Sequence, residues 1–398
     1  MRVALLTKST LAHTVGGVEV HAEGLAHGLA AHGHEVVVFT TTIPGPSRAT
    51  TDGIEVRSLE TQSGVYSRRW FARSADAVIG RHRATPFDVI VSEDLAGSGL
   101  IGRAPGIPHL VFVHGLSLEH VVSYWRDVDG IRALVRYPVI TVPELLYYAG
   151  VHERRLIRHA TLLGCVNARL VAQLRSWHRV EECRLRLFPC WVDAERFAPN
   201  PDRRARSREA LGLPPDAFVF MTASVVTRQK GVQLAVEAFA RERTRDPHAR
   251  LVVVGDGPYR ARLESKCRAL GLEGCCRLVG EVPPARMPDY FAAADAFIFP
   301  TLRMESTGIV LLEAMAAGLP VAASAIAAVP EVVGDAGLLV RAGDVGALAE
   351  AMRRLAQDPG LRAGLAVRGR ARVVAHYSKP DVIARIEAEC RELAGPRA

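Results

Sequence analysis

Short apolar runs alternate with stretches whose apolar residues recur at helical spacing, and the alternation continues over most of the chain. That pattern predicts parallel sheets joined by crossover helices. At the start, a strand over Val3–Thr7 leads through Gly16-Gly17 into a helix over Val18–Ala31. Val18, Leu25, Leu29 and Ala30 share one face of that helix, and His32-Gly33 stops it. Further strands are expected at Glu35–Thr40, Asp88–Ser92, Leu110–His114, Leu163–Asn167 and Leu185–Pro189. The second half repeats this grammar, with strands at Phe218–Ser224, Arg250–Gly255, Arg277–Gly280, Asp295–Pro300 and Pro320–Ser324. Helices between them are expected near Gly231–Arg241, Pro258–Leu270, Ala285–Ala293 and Gly308–Ala317. The tail reads as helix over Val345–Gln357, Gly360–His376 and Lys379–Leu393. Pro199-Asn200-Pro201-Asp202 is the best linker and opens the next helix, so the boundary between two α/β halves is placed there.

At 398 residues the chain exceeds one hydrophobic core, which agrees with two domains. No run of about 18 uncharged apolar residues predicts a membrane span, and the short apolar start reads as a buried strand, not a signal peptide. Seven cysteines without a Cys-x-x-Cys pair suggest reduced structural thiols and argue against zinc. The expected location is therefore cytoplasmic, with peripheral contact at the inner face of the membrane left open. The net charge of +8 is carried almost wholly by arginine; Lys8, Lys230, Lys266 and Lys379 are the only lysines. We read this as a solvated mixed surface and not as a nucleic-acid footprint, an anionic membrane or a phosphorylated substrate being the alternative.

The most informative stretch is 297–317. An apolar strand runs into a short loop and a helix leaves it, with Glu305 before the helix and Glu313 inside it. A helix N-terminus attracts phosphate, and carboxylates beside it accept from sugar hydroxyls. Together they describe a pocket for a nucleotide that carries a sugar. Arg228-Gln229-Lys230-Gly231 lies between a strand and a helix, where α/β proteins bind ligands. Two cations at a helix start oppose its dipole, and a bound diphosphate would explain them; a solvated loop is the bland reading. Gly16-Gly17 and Gly255-Asp256-Gly257-Pro258 each sit at a strand-to-helix turn and serve either a tight turn or a ligand's approach. Neither is Gly-x-Gly-x-x-Gly, which disfavours a dehydrogenase. His114 ends an apolar strand without a second ligand at metal spacing, and Asp88, Glu93 and Asp94 look like ordinary loop carboxylates. The aromatic and cationic segment 124–148 suits sugar faces or lipid head groups, or packs as an insertion.

These motifs, in this order, resemble the retaining GT-B glycosyltransferases of family four. The N-terminal match is Gly16-Gly17-Val18-Glu19 through Leu25-Ala26 and His32-Gly33-His34-Glu35-Val36. The C-terminal match is 251–258, then Glu305 to Gly318, then Val329-Pro330-Glu331-Val332-Val333. The resemblance implies an α/β fold of two Rossmann-like domains facing a cleft. These are residues 1–199 on the acceptor side and 200–376 on the donor side, with 377–398 crossing back as a helix. It implies an enzyme, a metal-independent hexosyltransferase without a cofactor, using a UDP- or GDP-hexose as co-substrate. Its work would lie in polysaccharide, glycolipid or glycoside biosynthesis, with a carbohydrate, lipid-linked or small-molecule acceptor and no nucleic acid.

By the same resemblance, Glu305, His114 and Lys230 are the expected catalytic residues. The donor would be held by Gly16, Gly17, Arg228, Lys230, Thr307, Gly308, Ile309, Val310 and Glu313, with no metal. Arg68, Arg69, Trp70, Tyr124 and Trp125 are candidates for acceptor contacts. The chain departs from the family pattern at Val225, where an arginine is usual, and at Thr307, where an aromatic is usual. It departs again at Cys190-Trp191 in the hinge turn and at Ala327-Ala328. A non-catalytic nucleotide-sugar-binding homologue, or a sugar-nucleotide epimerase of the same architecture, is the alternative.

Overall fold

The computed structural model describes residues 1–14, 16–43, 48–104, 106–125, 141–243 and 246–395. It contains two parallel sheets, each in its own compact unit. Unit 1 comprises Met1–Val121, Arg136–Cys190 and Pro380–Ala398; unit 2 comprises Val122–Val135 and Trp191–Lys379.

Unit 1 is built on β1 (Arg2–Leu6), β2 (Glu35–Thr40), β3 (Arg48–Thr51), β4 (Ile54–Ser58), β5 (Val89–Glu93), β6 (His109–Val113), β7 (Leu162–Cys165) and β8 (Leu185–Leu187). Their order is β3-β4-β2-β1-β5-β6-β7-β8, and only the β3–β4 pair is antiparallel. Ala4, Leu6, Val37, Phe39 and Ile90 form one buried face, and the helix Arg68–Ala84 covers it with Trp70, Phe71, Ala75 and Val78. Ser67 caps that helix by accepting from the Trp70 N–H. The helix Lys379–Ala394 packs into the same unit. Its Ile383 lies so close to Gly28 that a Cβ there would stand 2.3 Å from Ile383 Cδ1.

Unit 2 is built on β9 (Val219–Ala223), β10 (Arg250–Val254), β11 (Cys276–Gly280), β12 (Ala296–Phe299), β13 (Val321–Ser324) and β14 (Gly337–Val340). The order is β11-β10-β9-β12-β13-β14, and every pair is parallel. Both faces are covered by helices, so the strands are mostly apolar, with Arg250 and Arg277 at or near the starts of their strands. Val252 and Val254 point into one core cluster and Leu251 and Val253 into the other, as a period of two requires. Asn200 caps the helix Pro201–Ala210 by accepting from Arg203 N–H, and Pro201 holds its first position.

The predicted strands and helices are found within about two residues at most ends, the usual scatter of helix and strand limits. The sequence reading assigned no strand at Arg48–Thr51, Ile54–Ser58 or Gly337–Val340, and no helix at Arg68–Ala84 or Ala168–Trp177. β3 has no apolar run at all, and β4 alternates Ile54 and Val56 with polar residues over too short a length to signal. Both helices are arginine-bearing, and only one narrow stripe of each is buried.

Candidate functional site

In unit 2 the strand order reverses between β9 and β12. From β9 the chain moves outward to β10 and β11, then returns to lay β12 against the other side of β9. The loops leaving these two neighbours open at the same sheet edge, the place where parallel α/β sheets bind ligands. The loop after β9 carries the 3-10 turn Arg228–Lys230, and the loop after β12 carries Thr301 to Gly308. They are tied together by Leu302 N–H donating to the Gln229 carbonyl at 2.8 Å.

The contact at the centre is an ion pair. Lys230 Nζ donates to Glu305 Oε1 at 2.8 Å, and Thr301 Oγ1 donates to the same oxygen at 3.0 Å. Glu305 is buried. Burial alone would raise its carboxyl, but the Lys230 ammonium, then Arg303, outweigh it and hold the group below the ordinary carboxylate value. Gly231 follows with φ +71°, and a Cβ there would lie 1.9 Å from the Pro300 carbonyl oxygen, so the two loops meet backbone against backbone.

Gly308, φ +79°, opens the helix Ile309–Ala316 against the ring of Phe299. Its first N–H groups, at Ile309 and Val310, precede the helical bonding, which begins with Leu311 N–H donating to the Gly308 carbonyl at 2.8 Å. Glu313 lies one turn further in and is half-buried. Loss of water pushes its carboxyl up to about 7, because Arg196 is too weak a counterweight to hold it down. Two carboxylates eight positions apart are thus held in opposite states, one ionised and one poised near neutrality. Thr307 is buried at the position where an aromatic was expected, and its hydroxyl has no hydrogen-bond partner among the described residues. Arg228 and Val225 are both exposed.

Unit 1 has the same reversal, between β1 and β5. Gly16 caps the helix Gly17–Ala31, and a Cβ on Gly16 would stand 2.4 Å from Glu19 Oε2. Glu19 is buried and accepts from Ser9 Oγ. Further along this helix, His21 reaches Glu93 at the end of β5, and His114 reaches it from just beyond β6. Glu93 Oε1 takes His21 Nδ1 at 2.9 Å and Oε2 takes His114 Nε2 at 2.6 Å. All three residues are buried. Asp94 Oδ1 accepts from the backbone N–H of His114 at 2.9 Å, and Cys190 is hydrogen-bonded to the His114 ring.

Burial would raise Glu93, yet the two imidazoles pull it down to about 2. Burial would lower His114, yet Cys190, Glu93 and Asp94 together raise it well above the usual histidine value. His21 is lowered, with burial outweighing its share of Glu93. The arrangement is a carboxylate anion clamped between one imidazolium and one neutral imidazole. The sequence reading found no second group beside His114 and took Glu93 for an ordinary loop carboxylate. The structure corrects both, because three separate elements deliver the partners. One ligand atom from each of the three lies within 4.8 Å of the others, close enough to serve a single metal ion.

The structure therefore gathers Lys230, Glu305, Thr307, Gly308, Ile309, Val310 and Glu313 around one sheet edge of unit 2, with Arg228 on the exposed side of the same turn. In unit 1, Gly16, Gly17 and His114 lie on strand-to-helix connections of one sheet edge. Arg68 and Arg69 are exposed at the start of the helix Arg68–Ala84. Trp70 is no surface contact: it is fully buried and its Nε1 donates to the Ala96 carbonyl at 3.3 Å. Tyr124 and Trp125 end the helix Ser117–Trp125, and their side chains, like all of 126–140, lie outside the described residues. Sequence reasoning missed His21, Thr301 and Arg196. Only His21 left a signal, four residues beyond Gly17 on the helix that starts at the reversal.

Glu93→Gln removes one of the groups that, with Cys190 and Asp94, keep His114 protonated. Nitrogen-15 NMR of the imidazoles should show His114 titrating at a lower pH in the variant than in the parent, with stability lower by about 3 kcal/mol. An unchanged His114 titration would contradict the clamp.

Two family models match the chain: Glycosyltransferase Family 4 over residues 15–196 and Glycosyl transferases group 1 over residues 203–372. The D-inositol 3-phosphate glycosyltransferase of Acidothermus cellulolyticus is 30% identical over 393 residues, 91% of this chain and 81% of that protein. A GDP-mannose-dependent alpha-(1-6)-phosphatidylinositol monomannoside mannosyltransferase of Mycolicibacterium smegmatis is 37% identical over 191 residues. That match takes in 46% of this chain and spans only half of the relative's length. Among solved structures, the sucrose-phosphate synthase of Thermosynechococcus elongatus superposes with a TM-score of 0.82 at 23% identity, covering 98% of each chain. That likeness shows the fold, which is GT-B. On the family models and the near full-length relative, the chain belongs to the family four glycosyltransferases, glycosyl transferases group 1.

Proposed function

We propose that the protein transfers a hexose from a nucleoside-diphosphate sugar to an acceptor hydroxyl, with retention at the anomeric carbon and without a metal clamp. The observation that carries this reading is the Lys230–Glu305 pair at the strand-order reversal of unit 2. Lys230 and the N–H groups of Ile309 and Val310 supply positive charge for the diphosphate. Glu305 accepts from hydroxyls of the transferred sugar, and Glu313 accepts from the ribose hydroxyls.

Breaking the anomeric C–O bond leaves positive charge on the sugar ring and adds negative charge to the departing diphosphate. Fixed donors aimed at that diphosphate stabilise the transition state more than the ground state. The departing phosphate oxygen takes the proton of the acceptor hydroxyl, which attacks on the same face, so the configuration is kept. The acceptor is assigned to unit 1. The mannosyltransferase relative is named for GDP-mannose and a phosphatidylinositol glycolipid, and the Acidothermus relative for inositol 3-phosphate. Both names support a polyol acceptor in glycolipid, polysaccharide or glycoside biosynthesis, with GDP- or UDP-hexose as donor. No helix among the described residues is long and apolar enough to cross a membrane, and a cytoplasmic protein with peripheral contact to a lipid acceptor fits that. A non-catalytic homologue is the rival, supported by the exposed Val225 where the resemblance calls for an arginine.

Glu305→Gln should lower the transfer rate by about 10²–10³-fold while leaving the fold intact, because it removes the negative charge that orders Lys230 and the sugar. Transfer is read with radiolabelled hexose and circular dichroism checks the fold; full activity in the variant would overturn the assignment. A second test uses the proton on Glu313. Its unliganded carboxyl sits at about 7, and ribose hydroxyls bond better to the ionised form, so donor binding lowers that value. Binding of the nucleotide sugar at pH 6.5 should release protons and at pH 8.5 should release none. Calorimetry in buffers of different ionisation enthalpy measures this, and Glu313→Gln should abolish the difference.

A further inference from the structure

The seven cysteines of the chain are all free thiols, and they are not equivalent. Cys165 and Cys390 are buried, and loss of water pushes their thiols up to about 12, which leaves them inert. Cys190 is hydrogen-bonded to the His114 ring, and Cys183 is exposed with its sulfur 3.7 Å from the Glu181 carboxylate. Cys267 and Cys276 differ from these because they face each other. Their sulfurs share an S–H···S hydrogen bond at 3.6 Å.

Two elements of unit 2 bring the pair together. Cys267 lies in the last turn of the helix Arg260–Ala269, and Cys276 opens β11, the strand at the edge of the sheet. The loop between them turns at Gly271, φ +64°, and Gly274, φ +80°, with open space around both. An edge strand and an uncrowded loop leave room for the approach of ~1.5 Å that separates a 3.6 Å contact from an S–S bond of ~2.05 Å. Neighbouring Cys275 is committed elsewhere, its Sγ donating to the Leu272 carbonyl at 3.2 Å. The shared hydrogen bond holds the Cys267 thiol below its usual value, against the effect of burial, and holds Cys276 above. Cys267 is therefore the member that ionises. Cys276 is half-buried, so a small oxidant in water reaches the pair from that side. A thiolate beside a second thiol is the arrangement in which oxidation goes on to a disulfide.

We propose that Cys267 and Cys276 are a modification site, a dithiol that hydrogen peroxide closes into a disulfide within folded unit 2. The Cys267 thiolate attacks one peroxide oxygen and the O–O bond breaks. The departing hydroxide takes up the proton that the Cys267 thiol gave up and becomes water, leaving Cys267 as a sulfenic acid. The Cys276 sulfur then attacks the Cys267 sulfur, the S–O bond breaks, and the second hydroxide leaves as water with the Cys276 proton. Two thiols are oxidised and one peroxide is reduced to two waters. In a parallel sheet the crossover helix runs back from the ligand edge and the next strand starts at the opposite one. The last turn of the helix and the first residue of β11 therefore lie at the edge away from the loops of Lys230 and Glu305. The crosslink closes a loop of about ten residues and restricts the unfolded chain, so it stabilises unit 2.

The test treats the full reduced chain with hydrogen peroxide, blocks the remaining thiols with N-ethylmaleimide, and locates the crosslink by peptide mass spectrometry. The parent should lose two hydrogens and show Cys267 joined to Cys276, and dithiothreitol should separate them. Cys275→Ser should still form the link. Cys276→Ser should not, and dimedone should instead label its Cys267 as the trapped sulfenic acid. The linked parent should melt about 5 °C above the reduced protein, as a crosslink formed within the native fold requires. The proposal is overturned by an unlinked parent, by a link to Cys275 or Cys183 instead, by absence of dimedone label on Cys267 in Cys276→Ser, or by a melting temperature that the link does not raise.

Discussion

In a parallel sheet all strands end at one edge, and the chain must reverse its direction of travel once to fill both sides of the first strand. That reversal is the constraint on which both units depend. In unit 2 it sets β12 beside β9, so loops 75 residues apart in sequence meet as neighbours and Lys230 finds Glu305. In unit 1 it sets β5 beside β1, so the helix after β1 delivers His21 to Glu93 at the end of β5. Helices on both faces of each sheet leave that edge as the place where backbone N–H groups and charged side chains remain uncommitted to the core.

Charge then differentiates positions that burial treats alike. Glu93, Glu305 and Glu313 all lose water, which by itself raises a carboxyl. Glu93 has two imidazoles at hydrogen-bond distance and falls to about 2; Glu305 has an ammonium at 2.8 Å and falls below the ordinary value. Glu313 has only Arg196 as an opposing charge and rises to about 7. The same chemical group is a fixed anion in two places and a proton donor or acceptor near neutrality in the third. This separation of proton affinities gives one edge of unit 2 a permanent negative charge at Glu305 and a switchable one at Glu313.

Much of this architecture was legible in the chain. Buried parallel strands are apolar at nearly every position, so β9, β10, β12 and β13 announce themselves, and Gly16, Gly231 and Gly308 mark turns that a side chain would block. The spacing of Glu305 and Glu313 around a strand-to-helix turn pointed to their place. What the chain hid was long-range pairing. Nothing local distinguishes Glu93 from Asp88 or Asp94, because its two histidines arrive from other elements, and Lys230 gives no sign of which carboxylate it meets. Trp70 misled because aromatics serve sugars and cores alike; the cap at Ser67 and the stripe through Phe71, Ala75 and Val78 commit it to the core. The polar β3 and β4 carry no period strong enough to read.

The central claim is that Lys230 and Glu305 form the diphosphate-sugar end of a donor site. Calorimetric titration of GDP- and UDP-hexoses, without added metal, against the parent protein and Lys230→Ala tests it most directly. A charge-assisted contact to phosphate contributes about 1.5–3 kcal/mol, so the account predicts saturable binding of one donor by the parent and binding weaker by roughly 10–150-fold in the variant. Equal affinity in the two proteins, or no binding of any donor by the parent, would contradict it.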